Sequence, residues 1–277
     1  MDTLDTTNSF DNFVLDNESN DSGQDNSSGV AVLDERASAV ATHTVRSVAS
    51  VGSVTTVAPR TAHAPIHDRF LVQPGGNRSP GYLFIKRVLD VVGSICLLIA
   101  LFPIMFVALA VLSVTTRGKP FFRQERIGCC GRRFWMFKFR TMRLDADKLQ
   151  HLVKNEKDGP IFKNRNDPRV TRFGRFLRSF SIDEMPQLAN VLRGEMSLVG
   201  PRPLPTHEAL KCQPIERRRF SVKPGLTCLW QVSGRSEVAF EDLIRMDLWY
   251  LQNQSVMTDI KLLLRTPISV LSRRGAY

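Results

Sequence analysis

The residues best placed to do chemistry fall in one run, Ser181-Ile182-Asp183-Glu184-Met185-Pro186-Gln187 through Gly194, where two adjacent acids follow a serine and precede an apolar stretch. Ser181 and Glu184 have the spacing of a capping box, Pro186 suits a first helical turn, and Gly194 suits a helix stop. Local rules alone therefore make both acids complements to the positive end of a helix. A different chemistry enters with Gly200-Pro201-Arg202-Pro203. Two prolines fix the backbone around an arginine, and a guanidinium held in one orientation suits bidentate recognition of a phosphate. Lys223-Pro224-Gly225 and Ser233-Gly234-Arg235 repeat the pairing of a turn with a basic residue.

The elements that must position these groups can be read from periodicity. The aromatic and basic alternation of Phe134 to Thr141 predicts a strand with one apolar face and Lys138 and Arg140 on the other, and a second strand is expected near Thr227 to Val232. Helical spacing covers Leu144 to Lys157, the basic Arg172 to Phe180 with Arg178 near its end, Glu237 to Gln252, and Val256 to Leu271, where Pro267 interrupts an amphipathic pattern containing Asp259. The expected fold class is a compact, helix-rich α/β catalytic domain resting on a membrane, spanning 119–277.

Composition divides the chain near Ile66. Residues 1–66 carry nine acidic and three basic side chains and few large apolar ones, so this segment is expected to be disordered, followed by a linker over 67–81. The remainder carries 35 basic and 18 acidic groups, a balance that seeks anionic lipids or phosphorylated ligands. Within 82–118, the twenty-five residues from Val91 to Thr115 hold no charge, enough for a helix to cross roughly 30 Å of hydrocarbon. Yet Lys86 and Arg87 lie before this run and Arg117, Lys119, Arg123 and Arg126 after it, whereas a spanning helix concentrates its basic residues on the cytoplasmic side. Pro103 lies mid-run, and a helix that enters, breaks there and returns reconciles both observations. No cleavable signal pattern opens the chain, so the catalytic part is expected in the cytoplasm. The five cysteines show no metal or disulfide framework and are read as thiols.

Taken together, several motifs resemble the bacterial sugar transferases, the monotopic phosphoglycosyl transferases acting on polyprenol phosphate. They are Lys86-Arg87-x-x-Asp90, Lys138-Phe139-Arg140-Thr141-Met142, Ser181-x-Asp183-Glu184-x-Pro186-Gln187, Gly200-Pro201-Arg202-Pro203, the Pro224-Gly225 and Gly234-Arg235 turns, and Asp259-Ile260-Lys261. The resemblance covers about Tyr82 to Arg274. It implies a re-entrant helix hinged at Pro103, with the catalytic domain on the cytoplasmic face of the bacterial inner membrane. It further implies transfer of a sugar 1-phosphate from a UDP-sugar to undecaprenyl phosphate with release of UMP, which begins surface polysaccharide synthesis. Asp183 would be the covalent nucleophile and Glu184 the ligand of Mg²⁺. Lys138, Arg140, Arg178, Arg202, Arg235 and Asp259 match substrate-site positions. Two positions depart from the family pattern: Phe102 stands where a serine is frequent, and Cys228 where a glycine is frequent, which puts strain on the backbone after Thr227 in prospect.

Two rival readings use other features. Asp145-Ala146-Asp147 could serve a metal-dependent glycosyltransferase that moves the sugar alone, although no nucleotide-binding βαβ pattern surrounds it. A non-enzymatic membrane scaffold for polysaccharide assembly would account for the charge. No nucleic-acid motif is present. The sequence leaves the sugar and the oligomeric state open, a homo-oligomer included.

Overall fold

The computed structural model describes residues 72–156, 159–162, 164–234 and 238–272. The acidic segment 1–66, the start of the linker (67–71) and Arg235 lie outside the described residues.

The apolar run forms helix α1 (Pro80–Thr115), which opens on a proline whose missing N–H would be unpaired there in any case. Its first turns are pinned by polar side chains. Arg87 donates through both terminal nitrogens to the carbonyls of Val191 and Leu192, each at 2.7 Å, and Asp90 accepts from Ser197 Oγ and from the Leu198 amide, each at 2.8 Å. At the other end Ala108 and Leu112 pack with Phe139 and Leu177, flanked by Met105, Leu109, Phe173 and Ile182. Between these anchors Ile99, Phe102, Phe106 and Val107 are exposed. The helix is long and apolar enough to cross a membrane, yet both of its ends dock on one body while its middle is bare, an arrangement compatible with membrane association. Helical backbone continues through Pro103, so the interruption expected there is not a gap in the helix.

The folded body is helix-rich with two small sheets. Strands β1 (Phe121–Ile127) and β2 (Arg133–Phe139) form an antiparallel hairpin that matches Phe122 to Lys138 and Arg126 to Phe134. Helix α2 (Arg172–Ser179) is capped by Thr171, whose Oγ1 accepts from the Gly174 amide at 2.9 Å. Gly174 presses on the carbonyl of Thr141 so closely that a Cβ would sit 2.1 Å from it, so any side chain there would push α2 off the end of β2. A 3-10 turn over Ile182–Gln187 leads into α3 (Leu188–Arg193), which ends at Gly194 with φ +80°. Strand β3 (Ser197–Val199) pairs in parallel with β4 (Gly225–Thr227). Helices α4 (Thr206–Ala209), α5 (Leu229–Ser233), α6 (Phe240–Gln252) and α7 (Val256–Ser272) complete the unit.

Four local expectations are corrected. The described part of Leu144 to Lys157 is not a helix: its amides make i to i+3 bonds, as from Ala146 to Arg143 and from Leu149 to Ala146, and only Gln150–Leu152 forms a 3-10 turn. The segment is tied at Arg143 to the Arg169 carbonyl, while the Arg169 guanidinium holds Gln150. These ties outweigh propensity. The region expected as a strand over Thr227 to Val232 is a strand only to Thr227 and then turns into α5. Pro267 does not interrupt α7, whose outer face leaves Leu264, Ile268 and Leu271 exposed. In β2 the face expected to be set apart from the apolar one by Lys138 carries the buried Phe134 and Met136, while the other face leaves Trp135 exposed.

Candidate active site

The run that reads as a capping box does something else. Ser181 adopts a left-handed conformation with φ 55°, and its side chain makes no cap. Its carbonyl instead accepts from the Glu184 amide. This tight turn throws Asp183 and Glu184 inward, where both are buried despite their charge. Asn190 fixes that turn to the hairpin. Its side chain accepts from the Phe137 amide at 3.2 Å and donates to the Trp135 carbonyl at 2.8 Å, setting the start of α3 against β2.

The registry brings Lys138 Nζ to 2.8 Å from Glu184 Oε1. Arg202, held by its two prolines, forks across the same carboxylate: Nη2 pairs with Oε1, and Nη1 lies 3.1 Å from Oε2. Burial opposes ionisation of Glu184, but Arg202 and Lys138 together hold its carboxyl well below the usual range. Asp183 goes the other way. Burial raises its pKa, and although Lys138 counters this, the charge of Glu184 adds to the rise. One acid of the pair is thus committed to cations, while the other is a less stabilised carboxylate.

These groups line a cavity of about 690 Å³ whose walls also carry Arg126, Arg140, Asp147, Arg178, Trp230 and Gln231. Arg178 is oriented by Thr141, whose Oγ1 accepts from its Nε at 3.0 Å. The arginine of the mount lies over Trp230, 6.0 Å from the ring centre. Arg140 lines the cavity too, but its guanidinium donates to the carbonyls of Lys119 (2.9 Å) and Phe121 (3.0 Å). Of the residues picked out in the sequence, Lys138, Arg140, Arg178, Asp183, Glu184 and Arg202 therefore share one cavity.

Asp259 lies elsewhere. It accepts from Tyr250 at 2.7 Å, from Tyr82 at 3.0 Å and from Lys86 at 2.8 Å, joining the root of α1 to α7. Arg126 escaped the sequence reading of the site. It was visible only as one of the basic residues after the membrane run, and its place in the cavity depends on the hairpin register. Cys228 is extended, with φ −148° and ψ 165°, so the glycine it replaces is not required there.

Among the described residues no group of three or more His, Cys, Asp or Glu gathers as a metal site. Asp145 turns toward Arg143 at 3.5 Å while Asp147 lines the cavity, so the Asp-x-Asp pair does not converge. An ion such as Mg²⁺, which takes much of its coordination from water and substrate phosphates, needs only one or two carboxylates. The adjacent Asp183 and Glu184 fit that requirement, with Glu184 Oε2 less engaged than Oε1.

Residues 81–273 match the model of the bacterial sugar transferase family. A UDP-galactose-lipid carrier transferase from Erwinia amylovora is 38% identical over 86% of this chain and 52% of its own length. An undecaprenyl-phosphate galactose phosphotransferase from Salmonella typhimurium is 42% identical over 70% of this chain and 42% of its own. The exopolysaccharide production protein ExoY of Rhizobium meliloti is 35% identical over 79% of this chain and 99% of its own. The chain thus spans about half the length of the first two relatives and nearly all of the third.

Proposed function

The chain belongs to the bacterial sugar transferase family, and from that premise we propose that it moves a sugar 1-phosphate from a UDP-sugar to undecaprenyl phosphate, releasing UMP and starting a surface polysaccharide. The observation that carries this reading is the pairing of Asp183, buried and only partly stabilised as an anion, with a cation-held Glu184 in a cavity walled by Lys138, Arg178 and Arg202. Relatives named for sugar transfer to a lipid carrier support the same chemistry.

In the proposed reaction the Asp183 carboxylate attacks the phosphorus that bears the sugar. A phosphorus–oxygen bond to the Asp183 side chain forms, the bond to the α-phosphate oxygen breaks, and UMP departs with that electron pair. An oxygen of undecaprenyl phosphate then attacks the same phosphorus and restores the carboxylate, leaving the sugar on a lipid diphosphate. No general base is needed, because the nucleophile is an anion. Alignment and charge stabilisation govern phosphoryl transfer, and here Arg202, Lys138 and Arg178 supply fixed positive charge. Glu184, with Asp183 beside it, would hold Mg²⁺, which when bound offsets diphosphate charge.

The geometry of α1 supports a monotopic placement. Both charged flanks of the helix dock on the same body, so the apolar middle enters one leaflet and returns instead of carrying one flank across. The body then rests on the cytoplasmic face of the inner membrane, with the exposed Leu264, Ile268 and Leu271 of α7 adding apolar surface at the interface.

The test is to incubate purified protein with Mg²⁺, undecaprenyl phosphate and a panel of UDP-sugars beginning with UDP-galactose, and to identify the released nucleotide. Release of UMP, with a sugar-phosphate adduct on Asp183 when the lipid is withheld, is the expected result. Release of UDP instead, or turnover surviving Asp183→Asn, would sink the proposal.

A further inference from the structure

Arg126, Arg169, Arg202 and Arg219 are arginines of the body that differ in their charge partners. Arg169 clamps Asp167 through Nε and Nη2, Arg219 Nη2 lies 2.6 Å from Asp247 Oδ2, and Arg202 grips Glu184. Arg126 has no carboxylate at ion-pair distance among the described residues. Its Nη1 donates to the Pro203 carbonyl and its Nη2 to Gln124 Oε1, both at 2.7 Å and both neutral acceptors. Nε is buried with no hydrogen-bond partner, so three of the five N–H groups of this guanidinium are uncommitted among the described residues. Burial and the charge of Arg202 push its pKa down to about 9, and Glu208 and Glu184, which lie beyond ion-pair distance, offset this only in part.

An unpaired cation drawn out of water is costly unless something anionic completes it. The architecture places that demand in the cavity. Arg126 stands on β1 opposite Phe134, bridges to Pro205, and holds the carbonyl of Pro203, the residue after Arg202. One rigid turn therefore couples two guanidiniums, and both line the same cavity. Arg202 is already spent on Glu184; Arg126 is not.

We propose that Arg126 is an anion-binding residue of this cavity, taking a phosphate of a diphosphate ligand alongside Arg202. The assignment rests on reading the cavity as a nucleotide-diphosphate site. A brace for the Gly200-Pro201-Arg202-Pro203 turn and nothing more is the alternative that the test must separate from it.

The experiment measures binding of inorganic pyrophosphate, UDP and uridine to the full chain in detergent, in metal-free buffer, for wild type, Arg126→Gln and Arg126→Lys, with Tm recorded for each. Losing a charge-assisted contact should weaken pyrophosphate and UDP by roughly tenfold to a hundredfold in Arg126→Gln. Uridine affinity should stay unchanged, and Arg126→Lys should recover part of the loss, since it keeps the charge and loses the fork. Unchanged pyrophosphate affinity in Arg126→Gln overturns the assignment. So does an equal loss of all three ligands with a lowered Tm in both variants, which is the signature of a brace. The two readings fail separately. Pyrophosphate binding that depends on Arg126 in a protein releasing no UMP sinks the proposed reaction alone, whereas normal UMP release and pyrophosphate affinity in Arg126→Gln sink the anion site alone.

Discussion

Two buried clusters in this molecule each set a lysine against a carboxylate, and they are built to different ends. Around Asp259 the bonding closes. Lys86 Nζ donates to Asp259, to Tyr250 Oη at 3.2 Å and to the Val199 carbonyl at 3.0 Å, while Tyr82 and Tyr250 fill the remaining carboxylate positions. Around Glu184 the bonding stays open. Lys138, Arg202, Arg126 and Arg178 face a cavity that holds fewer carboxylates than cations at its reactive end. A closed network satisfies its own charges and fastens elements together, here α1 to α7 and β3. A network left short of negative charge leaves room for an anionic ligand.

The sharpest way to break that contrast is to neutralise one acid from each cluster. Asp183→Asn should reduce UMP release by roughly a thousandfold or more, since it removes the nucleophile, with little change in Tm. Asp259→Asn should act through stability. Leaving Lys86 buried without its counter-charge costs about 3–5 kcal/mol, and a domain of this size should lose roughly 10 °C in Tm. The UMP released per folded molecule at low temperature should remain within about tenfold. If Asp259→Asn instead keeps its Tm and abolishes release, the two clusters do not divide as argued.

A second, smaller effect tests whether the cations at Glu184 act as fixed charges. Arg202→Gln and Lys138→Met should each lower kcat/KM by roughly a hundredfold, comparable to losing one preorganised donor at a site of developing charge. They should not add in the double variant, because both act on the same carboxylate.

The third effect is a displacement along the pH axis. The folded pKa of Asp183 is raised by burial, with Glu184 adding and Lys138 subtracting. Because the nucleophile must be ionised, kcat/KM should fall as pH drops through an acid limb lying above the ordinary aspartate value of about 3.9. Removing Lys138 removes an influence that lowers this pKa, so the residual activity of Lys138→Met should have its limb at higher pH. A limb that stays in place or moves down would mean that Lys138 does not feel Asp183.

How much of this was legible in the sequence follows from the range of the forces involved. The apolar run, the helix stop at Gly194 and the rigid mount of Arg202 depend on neighbours in the chain, and all were readable there. The grouping of Lys138, Asp183, Glu184 and Arg202 was indicated by motifs, yet their distances come from Asn190 bonding across 53 residues to β2. Ser181 misleads for the same reason. Its capping-box spacing with Glu184 is locally favourable, but the two cations at Glu184 outbid the serine, and the residue turns left-handed instead. Leu144 to Lys157 has helical spacing, yet its described residues fold as turns, because Arg143 just before it and Gln150 within it are tied to Arg169, a partner no periodicity reveals. Arg126 belongs to the cavity only through a register that pairs it with Phe134.

The smallest expected effect bears on Arg140, which shares the cavity with Lys138 but not its bonding. Its guanidinium is spent on the carbonyls of Lys119 and Phe121 and lies 5.7 Å from the ring centre of Phe122. That makes it a clasp between the end of β2 and the segment leaving α1. Both carbonyls are exposed and can turn to water, so the loss is limited to the net value of exposed hydrogen bonds, about 1 kcal/mol. Arg140→Ala should therefore lower Tm by only a few degrees and change kcat/KM by no more than about fivefold. A fall near that of Lys138→Met would instead show that Arg140 leaves its two carbonyls for the substrate, and that the open cluster recruits a further cation from the cavity wall.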